Sequence, residues 1–503
     1  MGIFSFSWTQ ADHPVAGLPT NAPNKLQIKR EAIPIIFVPG VMGSRLRLKG
    51  TNGEGEANGM KNLRWDPSGL YLWNNYSGVT PARRKLMLLG DSNHYDPDFL
   101  EVDNDTPVGN GYRGLMEKYR DYLKALTTHD WGALGKLFVF PVYGFGYNWS
   151  ASNRTSGAKL AARIDEIIAE AKSISGTCQK VILVTHSMGG LVARAAMKLS
   201  GAEGKVLGVV HGVQPAYGSP AAYTRMKAGF EGSGFKGTTA SNFLGPTGRD
   251  LTALLANSIG GLQLLPGKTY VTGNGASAWL DVPNPAGGTR QLPLHNDPFN
   301  EIYRVPAVVD PEPGKGASQN TYWGLVDPAL LRPTEVKTPP KDPKSHDNPM
   351  LAFKGTDTAW TGYLANLAEA ESFLDDLGTY RHPKTWWFNG SGLTTAETVG
   401  FDIGPVDKET EHYPKRAFRA FLRKADNSTA QAQFKAPVGS GDGTVPTSSS
   451  SFNGDAAKSP APPVNTTFPN LEHQPAYEQD PVQTFATAAI TAIAGLRLKE
   501  AKG

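Results

Sequence analysis

The strongest chemical signal in the chain is Thr185-His186-Ser187-Met188-Gly189-Gly190, which lies between the run Lys180-Val-Ile-Leu-Val184 and a helical stretch from Leu191 to Leu199. A serine hydroxyl is a weak nucleophile until it is exposed and held against a base. A sharp strand-to-helix turn exposes it, and small residues after it let the backbone bend. The turn also places the next N–H at a helix N-terminus, where it can stabilise a developing oxyanion. Ser187 is therefore the candidate nucleophile and Met188 a candidate oxyanion donor. The first glycine of the usual G-x-S-x-G pattern is replaced by Thr185, which makes the turn more crowded.

A nucleophile of this kind is followed along the chain by an acid and then a histidine. The acid candidate is Asp442 in Gly439-Ser-Gly-Asp-Gly-Thr-Val-Pro446, where flanking glycines allow a tight turn; Asp402, Asp407, Asp426 and Asp455 are its rivals. Of the ten histidines only His473 lies beyond Asp442. The expected triad is Ser187, Asp442 and His473, with spacings of 255 and 31 residues. His473 would take the Ser187 proton and return it to the leaving group, while Asp442 fixes its tautomer. A second oxyanion N–H is expected from the glycine-flanked turn Pro39-Gly-Val-Met-Gly43, at Val41 with Met42 as the rival. This chemistry needs no cofactor.

These groups need a scaffold. Ile33–Val38, Leu137–Phe140, Lys180–Val184 and Val206–Val210 read as buried strands, with amphipathic helices between the later ones. Strands alternating with helices point to an α/β fold with a mostly parallel sheet flanked by helices. After Pro220 the alternation stops and resumes at Lys384–Phe388; a C-terminal helix spans about 481–498. The predicted organisation is an N-terminal arm at 1–30, a first core part at 31–220, a large cap or lid insertion at 221–370 and a second core part at 371–503. An apolar stripe of Tyr363, Leu367, Phe373, Leu374 and Leu377 reads either as a lid helix or as core.

Composition removes whole classes of function. The chain has 503 residues, 39% of them hydrophobic and 19% charged, which describes a globular protein well able to bury a core. Fifty Lys and Arg against 46 Asp and Glu leave +4, too thin a charge for a nucleic-acid partner. The single Cys178 rules out an intrachain disulfide and a cysteine metal cluster. Asp96, Asp98, Asp103 and Asp105 form an acidic loop that fits no defined calcium pattern and reads as a solvated turn. Met1–Gln10 shows no basic and apolar leader, so the sequence predicts synthesis in the cytoplasm without a signal peptide.

Together Ile35-Ile-Phe-Val-Pro-Gly-Val-Met-Gly-Ser-Arg-Leu46, Val184–Gly190, Gly260–Pro266, Trp386–Thr394 and Gly441–Pro446 resemble the lecithin:cholesterol acyltransferase-like and PGAP-type lipases of the α/β-hydrolase fold. The resemblance implies hydrolysis of acyl esters of membrane phospholipids or related lipids, with a lipid acyltransferase or a cytoplasmic carboxylesterase as the alternative. Where the family tends to carry Tyr-Asp-Trp-Arg, this chain has Tyr147-Asn-Trp-Ser150, so contacts of that segment do not carry over. A leaderless lipase of this branch is also similar to the type VI secretion lipase effectors. That likeness implies an antibacterial toxin with a secretion apparatus and an immunity protein as partners, acting in a target-cell periplasm.

Overall fold

The computed structural model describes residues 4–8, 24–28 and 30–500, the last without 54, 58–59, 67–68, 77–78, 91–98, 104–114, 116, 230–247, 284–287, 308–320, 333–357, 406–418, 424–428 and 452–463. The acidic residues Asp96, Asp98 and Asp105, the rival acids Asp407, Asp426 and Asp455, and most of the proline- and lysine-rich stretch 332–350, which reads in sequence as a solvated loop, lie outside the described residues.

Six strands make one parallel sheet: β1 (Ile35–Val38), β2 (Val142–Gly144), β3 (Val181–His186), β4 (Val206–Gly212), β5 (Thr385–Ser391) and β6 (Val464–Pro469). Their spatial order is β2-β1-β3-β4-β5-β6. A strand covered on both faces has no polar side, which is why β1, β3 and β4 read as near-continuous apolar runs. Each Val or Ile so buried contributes about 1.5–3 kcal/mol.

One face of the sheet is covered by α1 (Asn153–Ser175) and α2 (Gly189–Lys198), the other by α5 (Asp480–Glu500), and two apolar cores lie on the two sides. Ser152 caps α1 by accepting the Arg154 N–H, and Gly176, left-handed at φ 87°, ends it. The strand expected at Leu137–Phe140 is the short Phe138–Val139, which pairs with Glu31–Ala32, and the strand that joins the main sheet is Val142–Gly144, just beyond Pro141. In the stretch 112–126, where Leu115, Tyr119, Tyr122, Leu123 and Leu126 fall at roughly helical spacing, the residues described from 117 on form a 3₁₀ turn, Glu117–Tyr119, leading into a helix at Arg120–Thr128.

After β4 comes α3 (Pro220–Ala228), followed by the cap. Its centre is a second sheet ordered Thr289–Leu292, Leu280–Pro283, Leu393–Pro405, Thr429–Phe434 and Arg419–Arg423. The strands on either side of β5 thus meet in one layer, with Leu280 opposite Val399 and the Phe401 and Phe434 rings stacked 4.8 Å apart. Helix α4 (Thr358–Leu377) carries the stripe Tyr363, Leu367, Phe373, Leu374 and Leu377 inward, all buried. Lys268 and Arg304 fasten its outer side through Glu371. Trp279 and Trp360 are buried as well.

Asp103, fully buried, faces the guanidinium groups of Arg45 and Arg47 at 3.5 Å each. Among the described residues no cluster of His, Cys, Asp and Glu is arranged to hold a metal ion, and no helix is long and apolar enough to cross a membrane.

Candidate active site

Ser187 sits directly after β3 and adopts φ 53°, a left-handed conformation that costs a non-glycine residue of order 1–3 kcal/mol. Two backbone bonds hold it there: its N–H donates to Gly212 at 2.9 Å, and its carbonyl accepts from Gly190 at 2.9 Å. The turn is tight enough that a Cβ on Gly189 would lie 2.4 Å from the carbonyl oxygens of Val38 and Pro39. Glycine here is a packing requirement.

The Ser187 Oγ lies 2.8 Å from His473 Nε2, and His473 Nδ1 lies 2.7 Å from Asp442 Oδ2. Asp442 Oδ1 accepts the N–H groups of Thr444 at 2.9 Å and Val445 at 2.7 Å. A carboxylate only accepts, so the His473 Nδ1 facing it carries the proton and Nε2 is bare to receive the serine proton. All three side chains are nearly excluded from solvent, at 4%, 2% and 4% exposure for Ser187, Asp442 and His473. The main chain adds a bond, from His473 N–H to the Asp442 carbonyl at 3.0 Å.

Each member comes from a different strand end. Asp442 lies on the turn after the strand Val438–Gly441, and His473 follows β6. Ser219, which caps α3, donates to the Thr444 carbonyl at 2.6 Å and so ties the acid turn to the segment after β4. Asp402, the described rival, is exposed and faces Lys435 at 3.7 Å.

The turn after β1 lies against the elbow: a Cβ on Gly40 would meet His186 Nδ1 at 2.9 Å and Ser187 Cβ at 3.2 Å. Gly43 N–H closes this turn on the Gly40 carbonyl at 3.1 Å, with Met42 left-handed at φ 63°. The Met42 carbonyl accepts from Trp65 Nε1 at 2.9 Å. Neither Val41 N–H nor Met188 N–H bonds to another described residue. Met188 stands at the N-cap of α2, so its amide adds to the positive end of the helix dipole.

Sequence reasoning passed over Tyr119 and assigned no role to His186. The Tyr119 hydroxyl lies 2.8 Å from His186 Nδ1 and 3.4 Å from the Gly40 N–H, and His186 Nε2 lies 2.9 Å from the His473 carbonyl. Burial, with Lys118 and His473 adding to it, holds His186 well below the usual imidazole range. Burial raises the Tyr119 hydroxyl out of reach of neutral pH. No pattern in sequence joins residue 119 to 186; two helices and three strands separate them along the chain, and the fold brings them together.

Three comparisons bear on this geometry. Residues 29–232 match the family model described as the PGAP1-like alpha/beta domain. No curated protein sequence matches the chain. The solved Tle4-Tli4 complex contains a chain of similar fold, with a TM-score of 0.65 and 22% identity over 93% of this chain and 99% of that one. The mature lipase BlEst2 of Bacillus licheniformis aligns at TM-score 0.17 and 17% identity, over 44% of this chain and 50% of its own, which is too distant to inform the site. Over its first core part the chain carries a PGAP1-like α/β domain, and the whole has the α/β-hydrolase architecture with a cap.

Proposed function

We propose that the protein is a serine lipase of phospholipase A type, cleaving acyl esters of membrane glycerophospholipids through an acyl-enzyme on Ser187. The observation that carries this reading is the continuous chain Ser187–His473–Asp442, at 2.8 and 2.7 Å, on a strained strand-to-helix turn. His473 Nε2 takes the hydroxyl proton as Ser187 Oγ bonds to the ester carbonyl carbon. The carbonyl oxygen becomes an oxyanion in reach of the Val41 and Met188 N–H groups. The C–O bond to the alcohol breaks, and the departing oxygen receives the proton from His473. Water then repeats the sequence on the acyl-enzyme and releases a fatty acid.

Lipid as the substrate class rests on the motif resemblance to lipases and on the PGAP1-like α/β domain. The effector reading rests on a fold shared with Tle4 along nearly the full length of both chains. It carries with it a partner comparable to the Tli4 of that complex, an immunity protein that protects the producing cell. Delivery by a secretion apparatus into a target-cell periplasm belongs to the same reading.

The test is mass spectrometry of mixed-chain phospholipid vesicles incubated with the wild type and with Ser187→Ala. Release of one fatty acid by the wild type alone supports a phospholipase and identifies the ester cut. Cleavage of a short soluble ester without release from vesicles would replace it with a carboxylesterase, and transfer of the acyl group to an added alcohol in preference to water with an acyltransferase.

A further inference from the structure

We infer that Tyr119 and His186 are positioning residues that lock the oxyanion turn and the base loop to one another through a directed hydrogen-bond chain. The inference rests on the serine-hydrolase reading above. The direction of every bond in the chain follows from donor and acceptor chemistry. The His473 carbonyl can only accept, so His186 Nε2, 2.9 Å away, carries a proton. His186 is 1% exposed and held neutral by its burial, so Nδ1 is bare. The Tyr119 O–H, 2.8 Å from Nδ1, must then donate to it. Its oxygen keeps its lone pairs for the Gly40 N–H, at 3.4 Å. The chain runs Gly40 N–H to Tyr119 O–H to His186 to the His473 carbonyl, and every donor in it has an acceptor.

What the chain connects gives it its role. Gly40 opens the turn that presents Val41, and His473 is the base. His186 sits between them and is covalently joined to Ser187. The Tyr119 and His473 rings flank its imidazole, with centroids at 5.6 and 5.4 Å. The adjacent Lys118 reaches the same base loop by another route: its Nζ donates to the Gln474 carbonyl at 2.9 Å and to Gln474 Oε1 at 2.7 Å. Two successive residues of the 3₁₀ turn Glu117–Tyr119 thus hold the donor turn on one side and the base on the other. Donors preorganised in this way gain their effect in the transition state, because they need no reorganisation when charge develops.

The experiment uses the full chain and p-nitrophenyl butyrate, with active sites counted by stoichiometric labelling with an alkyl fluorophosphonate. Tyr119→Phe removes one oxygen and keeps the ring; His186→Gln keeps a donor toward the His473 carbonyl and loses the imidazole acceptor. Per labelled site, each is expected to lower kcat by roughly 10-fold, a fraction of the ~10²–10³ for deleting an oxyanion donor outright, with KM within about 2-fold. Affinity for butylboronic acid, whose tetrahedral adduct engages the same donors, should fall by the same factor as kcat. The double variant should be no worse than the poorer single one, because both break one chain. Wild-type kcat per labelled site in Tyr119→Phe, beside an inactive Ser187→Ala, would overturn the inference and leave the serine-hydrolase reading standing. Loss that follows the number of labelled sites, or that divides between kcat and KM with boronate affinity unchanged, would overturn it as well. An active Ser187→Ala would remove the reading beneath it.

Discussion

Thr185 and His211 are paired across β3 and β4, with the threonine hydroxyl 2.8 Å from His211 Nδ1 and both side chains buried. This pair accounts for the departure from glycine at the first position of the elbow motif. The threonine is accommodated because the neighbouring strand supplies a polar partner directly opposite it in the ladder register.

Thr185→Val keeps the shape and removes the hydroxyl, so it should lower stability by about 1–3 kcal/mol by taking a buried partner from His211. Thr185→Gly restores the usual motif residue but adds a void and a freer backbone, and should be the less stable of the two. Urea midpoints of the three proteins decide this. A glycine variant as stable as the wild type would show that the pair does not seat the strand end.

Asp442→Asn preserves the turn but presents the wrong group to His473 Nδ1. Turnover should fall by up to ~10⁴ with little change in KM. The Asp442 Oδ1 position accepts two backbone N–H groups, so an amide that keeps its oxygen there points its NH₂ at the histidine. Steady-state kinetics on a soluble ester gives the outcome.

Gly189→Ala places a methyl 2.4 Å from two carbonyl oxygens that belong to the oxyanion turn and the end of β1. Relief requires the elbow or that turn to move, so the variant should lose stability by about 1–3 kcal/mol and most of its turnover. Denaturation and active-site labelling together separate the two losses. Full activity would mean the backbone has slack the geometry does not display.

Lys227 is buried on α3 with its Nζ on the Gly324 carbonyl; burial pulls its pKa down to about 7, and Asp327 resists that fall. Between about pH 7 and the ordinary lysine value the folded protein has shed this proton while the unfolded chain keeps it. Folding stability from this group therefore rises with pH across that window. Denaturation midpoints from pH 7 to 9 should climb in the wild type relative to Lys227→Met, and parallel curves would refute the prediction.

Much of the scaffold was legible in sequence because buried parallel strands have no polar face, and β1, β3 and β4 stand out as apolar runs ending in turn residues. Chain order and glycine-rich turns singled out three residues of which His473 lies within hydrogen-bond distance of the other two. Tyr119, by contrast, sits in an ordinary amphipathic stretch, and its hydroxyl acquires a role only when the fold carries it to His186. The second sheet was also hidden: its strands come from two distant stretches on either side of β5, so no local period reveals their pairing. Pro141 marked the end of the strand expected at Leu137–Phe140, but the three-residue sheet strand Val142–Gly144 just beyond it was too short to read.

The cap sheet is built from two stretches of chain, and the second of them, 393–441, ends at the turn that bears Asp442. The cap is therefore not a cassette. A chimera that exchanged only 221–370 would leave half a sheet without its neighbours and would pull on the acid. The minimal transferable unit includes both stretches, and with them one member of the triad.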